Sequence, residues 1–82
     1  MTENELSKIV VNLCIKIHRI LGPGLLESVY EKVLCYELRK AGISFQRQQM
    51  ISLIYEELKM DLGFRADLII EDKLIIELNL SS

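Results

Sequence analysis

The sequence predicts an α+β fold in which two amphipathic helices lead into a three-stranded antiparallel meander. Three observations carry this reading. Apolar residues recur with helical spacing through the first half of the chain, Gly22-Pro23-Gly24 interrupts that spacing once, and from Ser44 onward the period changes to two. At 82 residues the chain allows one domain, spanning 1–82. A domain of that size buries only roughly 60–65% of its unfolded surface.

Taken in order, Thr2-Glu3-Asn4-Glu5 reads as a capping box, in which the Thr2 hydroxyl and the Glu5 carboxylate satisfy the first free amides. Leu6, Ile9, Val10, Leu13, Cys14, Ile17, Ile20 and Leu21 then form one apolar stripe, predicting a helix over about 3–21. Gly22-Pro23-Gly24 ends it, because proline cannot continue a helix and glycine accepts positive φ. Leu25, Leu26, Val29, Tyr30, Val33, Leu34 and Leu38 predict a second helix over about 25–41, with Arg39 and Lys40 suited to its C-terminal dipole. Gly42 followed by Ile43 fits a Schellman ending. Strands are expected at about 44–55, 58–70 and 74–80, with a turn at Glu56-Glu57 and a bulge at Gly63.

Composition narrows the function. A net charge of −2 leaves no electrostatic footprint for a stand-alone, non-specific duplex binder, so nucleic-acid contact is expected to be weak. Cys14 and Cys35 sit inside apolar helical patterns without clustered spacing, which reads as buried free thiols in a cytoplasmic protein. No apolar run approaches the ~18 residues that would span a membrane. An apolar fraction of 50% is high for this length and predicts a dense core or a face meant for a partner.

The informative residues are acidic. Strand alternation puts Arg65, Asp67 and Ile69 on one face and Phe64, Ala66, Leu68 and Ile70 on the other. A three-residue turn, Glu71-Asp72-Lys73, places Asp67 directly across from Glu77 and gathers the apolar side chains on the opposite face; a two-residue turn would not. Carboxylates directly opposite lie within roughly 5.5 Å at Cβ, and such like charges destabilise a bare sheet. A divalent cation removes that penalty, and Mg²⁺ (or Mn²⁺) favours one or two carboxylates. The alternative is that Asp67 and Glu77 simply face solvent on a half-covered sheet. Glu27, near the start of the second helix and on the same side as Tyr30 and Glu31, is the third candidate; its alternative is a solvated first-turn glutamate. Gly24 is expected to permit close approach to the sheet. His18 suits the C-terminal dipole of the first helix, and Tyr30 reads as a core-edge aromatic.

The stretch Leu21-Gly22-Pro23-Gly24-Leu25-Leu26-Glu27-Ser28-Val29-Tyr30 resembles the signature of the GxxExxY proteins of bacteria and archaea. His18, Phe45 to Gln48, Phe64-Arg65-Ala66-Asp67 and Ile75-Ile76-Glu77-Leu78 follow the same pattern, so the resemblance covers nearly the whole chain. It implies a PD-(D/E)XK nuclease-like fold and a magnesium-dependent phosphodiesterase acting on nucleic acid, with Glu27 as the helical acid and Asp67 and Glu77 as the metal-binding pair. Gln48 matches a glutamine of the family. Asn79 stands where the resemblance implies a catalytic lysine, and an amide cannot supply that charge. Loss of one such group commonly costs on the order of 10²–10³ in rate. The sequence also stops where a second core helix and a closing strand are expected. The implied enzyme is therefore truncated and impaired, and the alternative is a non-catalytic interaction or assembly module. With the apolar sheet face and an edge strand lacking their cover, a homo-oligomer is expected.

Overall fold

The computed structural model describes residues 1–78. Its elements are α1 (Glu3–Leu21), α2 (Glu27–Lys40), β1 (Phe45–Tyr55), β2 (Leu58–Ile70) and β3 (Leu74–Ile76), and the strands form one antiparallel sheet in the order β1-β2-β3. The predicted class is the observed one. The expected third strand leaves the ladder after Ile76; Asn79 and Leu80 lie outside the described residues.

Local chemistry sets the boundaries. The capping box at Thr2 is complete: its hydroxyl accepts from the Glu5 amide at 3.1 Å and the Glu5 carboxylate accepts from the Thr2 amide at 3.2 Å. The Thr2 hydroxyl also holds the Glu5 carboxyl below the ordinary carboxylate value. Helix α2 ends in the predicted Schellman geometry, with Ile43 N–H donating to Leu38 O and Gly42 N–H to Arg39 O, and Ile43 buried beneath the last turn. Its start falls two residues later than expected, because Leu26 keeps extended φ/ψ as N-cap. Gly24 has φ 84, a conformation that costs other L-residues roughly 1–2 kcal/mol. A Cβ there would meet nothing within 4 Å, so the glycine serves its backbone angle and not a close approach to the sheet.

The core lies between the two helices and the apolar face of β2. Leu6, Val10 and Ile17 from α1 and Tyr30, Leu34, Cys35 and Leu38 from α2 pack with Leu68 and Ile70, while Leu74, Ile76 and Leu78 lie half-buried against them. This corrects the expectation that the apolar face of the sheet lacks its cover. Both helices present apolar stripes, and transfer from water favours matching them to Ala66, Leu68 and Ile70, at about 25 cal/mol per Å² of apolar area. The acidic face offers no such gain.

The hairpin turns follow the predicted lengths. Tyr55 pairs with Leu58 across Glu56-Glu57, and Ile70 pairs with Leu74 across Glu71-Asp72-Lys73. The register between β1 and β2 shifts where Leu62-Gly63-Phe64 oppose Ile51, with Gly63 at φ 75, which is the bulge read from the sequence. Strand β3 pairs only with Leu68 to Ile70. Beyond that segment, towards its tip, the β1–β2 hairpin is a two-stranded arm whose residues 52–65 are all exposed.

Leu34 is fully buried between the layers. Leu34→Ala is expected to lower the unfolding free energy by about 2–5 kcal/mol in urea denaturation, with the transition midpoint falling and its slope unchanged.

Candidate functional site

Strand β2 presents two chemistries on its two faces. Ala66, Leu68 and Ile70 are fully buried beneath the helices, and Asp67 between them points to the other face, half-buried. The pair Leu68–Ile76 is the last of the ladder, and Glu77 follows directly after it. One bond fastens this corner: Leu78 N–H donates to Asp67 Oδ2 at 2.7 Å. The carboxylate of the central strand thereby holds the chain leaving β3. Glu77 is exposed.

Glu27 is the first residue of α2 and is exposed. Among the described residues, no group of three or more His, Cys, Asp or Glu side chains is placed to hold a metal ion. Asp67 is thus tied to the backbone next to Glu77, while among the described residues Glu27 does not join the two in a three-ligand cluster. Asn79, at the position of the implied lysine, lies outside the described residues.

A carboxylate not assigned from the sequence is the buried one. Glu31, 6% exposed, accepts from Gln48 Nε2 at 3.0 Å and from Arg47 Nη2 at 3.3 Å. Arg47 lies opposite Leu68, on the helix-covered face. Gln48 follows directly and would point the other way in regular strand, yet it reaches the same carboxylate. Its backbone explains this: φ is 55, and the pairing with β2 skips from Arg47–Leu68 to Gln49–Ala66. The omitted position is the one opposite Asp67. A non-glycine residue at positive φ costs roughly 1–3 kcal/mol and persists only where its surroundings fix it; here the bond to Glu31 does so. The Glu31 carboxylate also raises the Arg47 guanidinium above its ordinary value. A sequence signal for Glu31 existed: it occupies the stripe shared with Leu34 and Leu38, where an apolar residue is the rule.

A groove of about 550 Å³ runs between α1 and the end of β3, with Cys14, His18, Tyr30, Ile76, Glu77 and Leu78 on its walls. Tyr30 is the core-edge aromatic anticipated from the sequence, and its hydroxyl donates to Cys14 O at 2.9 Å, joining α2 to α1. Burial first, and then the adjoining Cys14, push that hydroxyl up to about 12. The opposite sheet edge is tied by Glu71, whose carboxylate accepts from Ser44 Oγ at 2.6 Å and from Ser44 N–H, which holds it below the ordinary value.

Two predictions follow from these contacts. Because folding raises the Tyr30 pKa, its contribution to stability is complete below the ordinary tyrosine value and is lost as pH rises from about 10 towards 12. Alkaline unfolding should show that loss, and Tyr30→Phe should remove this part of it while lowering neutral-pH stability by about 1 kcal/mol. Glu31→Ala leaves Gln48 and Arg47 without their acceptor and should destabilise by about 1–3 kcal/mol in thermal unfolding, more than the exposed Glu27→Ala.

No curated protein and no solved structure matches the chain. The family model of the PD-(D/E)XK nuclease superfamily matches residues 4–81, which takes in both helices, the meander and every candidate acid. With nearly its whole length covered, the chain belongs to the PD-(D/E)XK nuclease superfamily.

Proposed function

We propose that this chain is a nuclease-like domain of the GxxExxY kind, built around a divalent-metal site for phosphodiester hydrolysis, and that its activity is impaired. The observation that carries the reading is the corner at Asp67, where the Leu78 amide bond and the β2–β3 register support Asp67 and Glu77 as neighbours. The donors fit Mg²⁺ or Mn²⁺ chemically: two carboxylates are hard oxygen ligands, and magnesium is commonly held by one or two carboxylates with water and substrate phosphate completing the shell. PD-(D/E)XK nucleases typically use divalent metals, and such an ion supplies charge stabilisation and a more acidic water.

Within that site Asp67 and Glu77 hold the ion, and Glu27 is the acid contributed by the signature helix. Asn79 takes the lysine's place, and a neutral amide supplies no positive charge. Arg65, exposed on the strand two residues before Asp67, is not given the lysine's role in this reading. Glu31 is a positioning residue, since it acts through Gln48 on the strand segment opposite Asp67. The second reading is a non-catalytic assembly module, and the uncovered apolar surface of the hairpin arm favours it.

The test is cleavage of mixed single- and double-stranded nucleic acids with Mg²⁺ or Mn²⁺, together with calorimetric metal titration. Asp67→Asn keeps an acceptor for Leu78 N–H and should fold, yet lose metal binding and any cleavage. Asn79→Lys should raise cleavage by on the order of 10²-fold. Folded protein whose metal binding survives Asp67→Asn, or which cleaves with neither the native residue nor lysine at position 79, contradicts the proposal.

A further inference from the structure

The outer half of the β1–β2 hairpin carries an apolar surface that none of the described residues covers. Leu53 pairs with Met60 and Tyr55 with Leu58, so these four side chains share one face, and alternation adds Ile51 and Leu62. Nearer the helices, the same face carries Ala66, Leu68 and Ile70. The bulge interrupts the ladder, but its register shift is of two residues, so the parity on either side is the same and the core face resumes beyond it. Exposure changes along it: Ala66 is fully buried, whereas Leu53 is 49% and Tyr55 64% exposed.

We propose that a second copy of this chain covers this face, the two hairpin arms packing face to face about a two-fold axis. None of the six side chains is charged, which suits an isologous contact in which each patch meets itself. Their exposed area is on the order of 500 Å² per copy, at the upper end for a single patch on a monomer. Two copies together bury about 1,000 Å², the size at which specific interfaces begin. Packed sheets lie about 10 Å apart, so the partner's arm continues the layer that the helices begin. The charges also match. An antiparallel arrangement carries the Glu56-Glu57 tip of each arm towards the base of the other, where Arg47 stands on the same face with its side chain 46% exposed. A bare two-stranded ribbon is marginal in water, and the dimer gives it the second layer it lacks. This inference is independent of whether the acidic site is catalytic.

The experiment is sedimentation equilibrium of the whole chain across micromolar concentrations. The expected mass is twice that of the chain. Leu53→Glu combined with Met60→Glu should weaken the dimer at least about tenfold while keeping the helical circular dichroism signal. Ile54→Glu, on the opposite face and 68% exposed, should leave it intact. If the double variant does not fold, Tyr55→Lys replaces it. A monomeric mass at every concentration overturns the proposal, as does a dimer insensitive to changes on the apolar face or equally sensitive to Ile54→Glu; a monomer would point to a different partner for the arm.

Discussion

The burial of Ala66, Leu68 and Ile70 beneath α1 and α2 is the constraint on which the rest of the structure depends. A strand has only two faces, so fixing these three residues inward fixes Asp67 outward. It also fixes the register of β3, because only a three-residue turn returns Leu74, Ile76 and Leu78 to the helix side and Glu77 to the side of Asp67. The acidic corner is therefore a by-product of hydrophobic packing in position, though not in chemistry. The Asp67–Leu78 bond then holds the chain where the ladder stops.

A second, smaller device acts from the helix side. Glu31 occupies a slot in the apolar stripe of α2 and is kept there by donors from two successive strand residues. Two donors on one carboxylate require Gln48 to leave regular strand geometry, and its positive φ is the result. A buried carboxylate without such partners would be strongly unfavourable. The arrangement links the signature helix to the strand position opposite Asp67, so the helix and the acidic corner are coupled through β1 and not by direct convergence of three carboxylates.

Much of this was legible in the sequence, for identifiable reasons. The capping box at Thr2, the Schellman ending at Gly42-Ile43 and the bulge at Gly63 depend on local chemistry and are written in neighbouring residues. The meander register was legible because period-two patterning admits one turn length. Which face the helices cover was not, since that is a choice between layers and no local signal records it. The role of Gly24 was misread for a related reason: a glycine signals either close approach or positive φ, and only the surrounding space distinguishes them. Glu31 was visible as an acid in an apolar stripe, but its partners Arg47 and Gln48 come from a strand 16 and 17 residues away. The family signature added the site assignments at Glu27, Asp67, Glu77 and Asn79, which alternation alone left open.

The central claim is that Asp67 and Glu77 form a seat for a divalent ion. Magnesium titration followed by backbone amide NMR tests it most directly, since Leu78 N–H reports on the Asp67 carboxylate through their 2.7 Å bond. The account predicts saturable shifts that are largest at Asp67, Glu77 and Leu78. Shifts confined to the Glu56-Glu57 tip, or none beyond the effect of monovalent salt, would contradict it.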